Sequence, residues 1–330
     1  MADLFLIVLI IFIALIFDFI NGFHDAANAI ATIVATNVLS PQRAVLLAAF
    51  WNFIGVFFFG VAIATTIGSG IIDPAASTVS VIFAGLIGAI AWDVITWYFG
   101  LPISSSHALI GGLIGSAVTS SGFGILNIGG ISKVLVFIVI APLLGFLGAI
   151  AFSILVFFIF KKSAPLNVNS HFRRLQLLSS SLYSLGHGAN DAQKTMGIIT
   201  ILLLSGGVIS SFHIPLWVIF ASYAAISLGT YFGGWRIVKT MGHRITKLRP
   251  VHGFCAESAG SLVLIGTAVT GIPVSTTHVI AGSIFGVGAS KRVSSVRWAV
   301  ARSIVGAWVL TIPASAAIAG ATFLVLNIFS

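Results

Sequence analysis

The chain has 330 residues, 58% of them hydrophobic and only 7% charged, with a mean hydropathy of +1.14. No soluble domain of this length carries that composition, so the chain reads as a polytopic membrane protein, with helical spans. The net charge of +9 does not signal nucleic acid, because the basic residues fall in short loops between apolar runs. The single cysteine, Cys255, excludes an intramolecular disulfide and a cysteine metal site.

Apolar runs fall at 4–38, 44–66, 78–99, 101–120, 131–160, 175–204, 213–234, 253–270, 272–290 and 298–327. About 20 residues cross a bilayer as a helix, and a run of roughly 30 crosses with tilt or a break. Leu4–Ile20 lacks a basic leader and a small-residue cleavage site, so it is expected to stay as a membrane segment. Basic clusters then set the topology: Lys161, Lys162, Arg173 and Arg174; Arg236, Lys239, Arg244, Lys247 and Arg249; and Lys291, Arg292, Arg297 and Arg302. The positive-inside rule puts all three in the cytoplasm. The run 175–204 therefore leaves, 213–234 returns, and 253–290 enters and exits on one side as a hairpin. The last run leaves the C-terminus outside.

The same pattern fits the first half, with crossings at 4–38, 44–66 and 131–160 and a hairpin at 78–120. It puts the N-terminus outside and Arg43 inside, and only Lys133 violates it. Three crossings per half is an odd number, so the halves run in opposite directions. The expected fold is an all-α polytopic membrane protein with an inverted-topology repeat, broken helices and two helical hairpins. The repeats are 1–160 and 175–330, with 161–174 as a cytoplasmic connecting loop.

Two motifs recur. Subtracting 166 lays Gly188, Asp191 and Ala192 on Gly22, Asp25 and Ala26. A charge at mid-membrane costs about 2.5 to 3.5 kcal/mol on insertion scales, so a carboxylate at matching positions of two halves points to a transport pathway. The second motif is sharper. GLPISSSHALIGGLIG (100–115) aligns with GIPVSTTHVIAGSIFG (271–286) at an offset of 171, pairing Pro102 with Pro273 and His107 with His278. Gly-x-Pro breaks a helix, and hydroxyl residues directly after it suit the N-terminus of the next one. Ser104, Ser105, Ser106, Ser275, Thr276 and Thr277 would then stand beside free backbone N–H groups at two positive dipole ends, which is an anion site. A lone Ser/Thr cluster in a membrane helix more often bonds its own backbone, and two matching clusters after Gly-x-Pro argue against that reading.

Other polar residues have plainer readings. His107 and His278 are read as holding the hairpin geometry, with proton relay as the alternative. Lys194 shares a helix face with Asp191, three residues before it, and reads as a local ion pair or support. Glu257 is assigned to structural pairing or gating. Asp18 and Asp93 have no matching carboxylate. The glycines of the hairpin motifs read as close-packing positions.

At GFHDAAN (22–28), GANDAQK (188–194), LPISSSH (101–107), GFCAE (253–257) and IPVSTTH (272–278) the chain resembles the inorganic phosphate transporter (Pit) family over nearly its whole length. That resemblance implies secondary phosphate uptake coupled to Na⁺ or H⁺, in an inverted-repeat membrane fold at the plasma membrane. The family's G-A-N-D-x-x-N pattern is split here: the first half has His24 for the earlier Asn, and the second has Lys194 for the later one. Animal members carry a Glu where this chain has Asn52, so no role is transferred there.

The residues themselves suggest how coupling would work. Carrying divalent phosphate inward against 100 mV costs about 4.6 kcal/mol, which co-transported cations must offset. Asp25 and Asp191, with amide oxygens from Asn28, Asn190 and Gln193, offer hard oxygen ligands for Na⁺ at each carboxylate. The partners expected are inorganic phosphate, Na⁺ or H⁺ and the lipid bilayer, with a homo-oligomer left open and no other cofactor. Proton coupling and sulfate as substrate are rivals within transport. An intramembrane hydrolase built on Ser/His or paired Asp is the rival from another class; a catalytic site does not need every motif twice, so no enzyme activity is expected. A channel filter would need a run of like side chains that this sequence lacks.

Overall fold

The computed structural model describes residues 4–73 and 76–328, which are almost entirely helical. The first half contains α1 (Leu4–Ala35), α2 (Pro41–Ile54), α3 (Ala62–Gly70), α4 (Val79–Phe99), α5 (Ser105–Ser121) and α6 (Ile128–Phe160). The second contains α7 (Pro165–Ser205), α8 (Leu216–Phe232), α9 (Trp235–Lys239), α10 (Pro250–Thr270), α11 (Thr276–Lys291) and α12 (Trp298–Ile328). A π-helical turn, Thr240–Arg244, follows α9.

The hairpin breaks form for the expected reason. Gly100 ends α4 at φ +65° and Gly271 ends α10 at φ +69°, a left-handed conformation that costs little without a Cβ. Proline follows two residues later, and the chain runs extended until Ser104 and Ser275 cap the next helices. Ser104 Oγ accepts from His107 N–H at 3.2 Å, and Ser275 Oγ from His278 N–H at 3.1 Å. Each break is also held from the opposite half. Thr240 Oγ1 donates to the Gly100 carbonyl at 2.9 Å, and Thr66 Oγ1 to the Gly271 carbonyl at 3.0 Å.

The packing partners map onto one another when the halves are exchanged. α5 packs on α12 and α11 on α6; α4 lies against α12 and α10 against α6. α1 packs on α8 and α7 on α2, while α3 touches α7 and α9 touches α1. Each hairpin thus leans on the last helix of the other half, so the two repeats expected from the sequence pack as equivalents of one another. Lipid supplies no hydrophobic drive between helices, so small residues that allow close approach carry the packing. A Cβ on Gly111 or Gly115 would lie 2.5 or 2.1 Å from a carbonyl oxygen of α12, and one on Gly282 or Gly286 would lie 2.2 or 2.3 Å from one of α6.

Three expectations need correction. The segment 161–174 is not a loop along its length, because Pro165 starts α7 at its first turn, where a missing N–H costs nothing; the connector shrinks to 161–164. The runs 44–66 and 213–234 are not continuous crossings. α2 with its following turn bends by 87° into α3, and α8 bends by 60° into α9, the latter at Gly233 with φ +70°. Residues 235–244, expected as part of a basic loop, are helical. These bends bring Thr66 and Thr240 to the breaks.

Among the described residues, five helices (α1, α4, α6, α10 and α12) are long and apolar enough to cross a membrane, or up to seven spans if each bent pair counts as one. α7 is not among them although it is 41 residues long. Its middle, from Ser179 to Lys194, is polar in many places and buried against protein, so it does not need lipid-compatible side chains.

Candidate functional site

Asp25 and Asp191, on helices that run unbroken through them, and the two hydroxyl tips, which lie far apart in sequence, meet at the centre of the molecule. Asp25 on α1 and Asp191 on α7 are buried, at 3% and 0% exposure. Thr276 Oγ1, at the N-terminus of α11, lies 2.9 Å from Asp191 Oδ2 and 3.3 Å from Asp25 Oδ2, so its one proton serves one carboxylate at a time. Thr277 Oγ1 donates to Asp25 Oδ2 at 3.2 Å. Asn28 Nδ2 donates to Thr277 Oγ1 at 2.9 Å and to Thr276 Oγ1 at 3.3 Å. Asp25, Asp191 and His187 offer ligand atoms within 4.8 Å of one another, a grouping able to hold a cation.

The first tip reaches the same place through Lys194. Its ammonium donates to Asp191 Oδ1, to Ser106 Oγ, and to the Val274 carbonyl at 2.9 Å. Ser105 Oγ is buried without a hydrogen-bond partner. The tips also touch directly: His107 and His278 meet edge to face with centroids 4.8 Å apart, and His278 stacks on Trp308 of α12 at 3.8 Å. Trp308 Nε1 in turn donates to the Pro102 carbonyl in the first break at 2.9 Å. Both histidines therefore lie where the tips join.

Close helix crossings position the carboxylates. A Cβ on Gly22 would sit 2.1 Å from the Ile226 carbonyl oxygen of α8, and one on Gly188 would sit 2.5 Å from that of Asn52 on α2. The repeated glycine three residues before each aspartate thus lets α1 and α7 press onto the second helix of the opposite half.

Some expected ligands are engaged elsewhere. Gln193 Oε1 accepts the backbone N–H groups of Ile63 at 2.9 Å and Ala64 at 3.3 Å, so it caps the bent-off helix α3 rather than facing Asp191. Asn190 Nδ2 donates to the carbonyls of Gly186 and Leu264, both at 2.8 Å, fixing α7 to α10. Free backbone donors and acceptors at the breaks and crossings claimed both amides, and sequence spacing alone does not reveal that. Ser104 and Ser275 spend an oxygen lone pair on capping.

Glu257 accepts from Thr32 Oγ1, Ser179 Oγ and, at 3.0 Å, Gln176 Nε2, and so bridges α1, α7 and α10 in a satisfied polar cluster. Asp18 and Asp93 are fully buried, with Thr195 and Asn21 beside the first carboxyl and Ser105 beside the second. Asp93 shares a cavity of about 300 Å³ with His24.

Sequence reasoning gave no part to four groups. His187 Nε2 lies 3.2 Å from Asp191 Oδ2, and its Nδ1 lies 3.2 Å from Asn52 Oδ1. His24 Nδ1 lies 2.9 Å from Asp25 Oδ1. Tyr183 O–H donates to the Thr276 carbonyl at 2.9 Å, holding the start of α11. Asn52 also donates to Thr230 Oγ1 at 2.8 Å. The i, i+4 step from His187 to Asp191 was the one available signal.

Two exchanged hairpins, broken at mid-molecule and joined around buried charges, define a membrane transporter rather than an enzyme. The sequence profile of the Phosphate transporter family matches residues 21–319, and the chain belongs to that family. It is 56% identical over 314 residues to a probable low-affinity inorganic phosphate transporter of Rhizobium meliloti, spanning 95% of this chain and 94% of that one. A protein of the same description from Bacillus subtilis is 47% identical, with 98% of both chains covered. A solved structure described as the sodium-dependent phosphate transporter superposes with a TM-score of 0.89 at 25% identity, covering 99% of this chain and 100% of that one.

Proposed function

We propose that the chain is a secondary phosphate symporter of the plasma membrane, taking up inorganic phosphate with Na⁺ by alternating access. The observation that carries this reading is the meeting of two half-helix N-termini at two buried carboxylates. The tips supply N–H groups and the hydroxyls of Ser105, Ser106, Thr276 and Thr277 for a tetrahedral oxyanion, while Asp25 and Asp191 supply negative charge for its counter-ion. Either alone would be unfavourable: the carboxylates repel the anion, and a buried carboxylate such as Asp25 costs desolvation without a cation. Bound together, cation and phosphate neutralise one another.

Sodium is favoured over protons because Asp25 and Asn28 present hard oxygen ligands, and because the similar solved structure is described as sodium-dependent. No arginine belongs to the cluster around Asp25 and Asp191, so the substrate is not clamped by a bidentate fork and can leave as readily as it enters. The basic segments 235–252 and 291–302 would face the cytoplasm and both termini the outside. Exchange of the two inverted halves between equivalent arrangements would open the site to each side in turn. Uptake of labelled phosphate into proteoliposomes tests this under an inward Na⁺ gradient, an inward H⁺ gradient or neither, with sulfate as competitor. The expected result is accumulation driven by Na⁺ and resistant to sulfate. Uptake indifferent to both gradients would remove symport.

A further inference from the structure

Asn28 and Lys194 occupy one position in the two halves, since 194 − 166 = 28, yet they leave their sites in opposite states. In the first half, the Thr277 hydroxyl proton points to Asp25 Oδ2, and that of Thr276 has its shorter contact at Asp191 Oδ2. Both threonine oxygens are then free to accept, and Asn28 Nδ2 uses its two protons on them. This fixes which way the amide faces and leaves Asn28 Oδ1, on a residue 1% exposed, buried with no hydrogen-bond partner. Asp25, three residues earlier on the same helix face, adds carboxylate oxygens. The first half therefore holds an acceptor-rich pocket into which its own half sends no lysine or arginine; its one basic neighbour from that half is His24, whose Nδ1 lies 2.9 Å from Asp25 Oδ1.

The second half has no such vacancy of charge. Lys194 is 1% exposed, and its three ammonium protons go to Asp191 Oδ1, Ser106 Oγ and the Val274 carbonyl. These are an acidic ligand, a hydroxyl of one tip and a backbone carbonyl of the other, the kind of oxygen set that a small cation would otherwise collect. A buried ammonium persists only with such compensation.

We propose that Lys194 is a tethered counter-cation that permanently fills the cation position at Asp191, so that a single mobile cation, held by Asp25 and Asn28, accompanies each phosphate. The inference rests on the symport reading above and sharpens it. A cation fixed to α7 helps neutralise the bound anion, but it does not cross the membrane. Each cycle then carries one positive charge fewer than a site with two mobile cations.

Equilibrium binding of labelled sodium to the purified full-length chain, in the presence of phosphate, tests the count directly, with sodium-dependent phosphate uptake in proteoliposomes alongside. One sodium per chain and a Hill coefficient close to one are expected for the wild type. Asp25→Asn should abolish sodium binding. Lys194→Asn, which restores the first-half residue to the second half, should raise the count to two and steepen the sodium dependence of uptake, while Lys194→Arg should keep the count at one. Two sodium ions on the wild type, none on it, or a count unchanged in a folded Lys194→Asn protein would overturn the inference. If Lys194→Asn fails to fold, the wild-type count and its loss in Asp25→Asn still decide. Phosphate uptake with two bound sodium ions would sink this inference alone, whereas absence of phosphate uptake would sink the transport reading beneath it.

Discussion

The two halves present the same motif around their aspartates and solve the same electrostatic problem differently. Asp25 accepts from neutral hydroxyls and has His24 2.9 Å from its other oxygen, whereas Asp191 is locked to the Lys194 ammonium and has His187 3.2 Å away. Duplication has kept the scaffold, meaning the glycine crossing, the carboxylate and the hydroxyl tip, while the residue three positions after the carboxylate diverged from amide to ammonium. A symmetric fold can thus host an asymmetric site. The first half is built to exchange a partner and the second to keep one.

The largest expected effect breaks this comparison at Asp191. Asp191→Asn leaves the Lys194 ammonium buried without its carboxylate, and removing one partner of a buried pair costs about 3–5 kcal/mol. Thermal unfolding in detergent should show a large loss of stability, and Asp191→Asn combined with Lys194→Asn should recover most of it. A double variant as unstable as the single one would mean that the pair is not the cause.

Asp25→Asn should behave in the opposite way, with a mild change in unfolding and roughly a 100-fold fall in sodium-driven uptake, the scale of one lost charge-assisted contact of about 2–3 kcal/mol. Equal stability losses in the two variants would erase the distinction between the halves.

Gly22→Ala and Gly188→Ala sharpen the comparison in the other direction, because here the halves should agree. Each new methyl meets a backbone carbonyl, at 2.1 and 2.5 Å, and backbone cannot give way cheaply. Both variants should lose about 1–3 kcal/mol of stability by overpacking, measured as a lower unfolding temperature. A tolerated alanine at either site would show that the crossing is looser than its partner's.

The smallest effect belongs to the caps. Ser104→Ala and Ser275→Ala each remove one capping acceptor and should cost about 1 kcal/mol in unfolding. A much larger loss of phosphate affinity than of stability would show that these serines also touch the substrate.

Much of this organisation was legible in the sequence. The Gly-x-Pro breaks located both hairpins, because glycine and proline act locally, and the paired motifs located the two repeats. Asp25, Asp191, the second tip's Thr276 and Thr277, and Ser106 come together as expected. The bends between α2 and α3 and between α8 and α9 were not legible, since α3 continues the apolar run of α2, and the basic residues of 235–244 read as a loop rather than a helix. Nor were the true partners of Gln193 and Asn190, because an amide bonds whichever backbone group folding brings to it, and those groups lie 129 or 130 and 74 residues away. The start of α7 was misjudged because Lys161, Lys162, Arg173 and Arg174 look like one loop, although Pro165 opens a helix among them.

The claim at the centre of this account is that both tips grip one phosphate. A double-mutant cycle on phosphate binding tests it, using Ser105→Ala in the first tip, Thr277→Val in the second and the two combined. A shared ion predicts that each variant weakens binding and that the effects are non-additive by more than about 0.5 kcal/mol. Strictly additive effects, or binding untouched by either change, would contradict it.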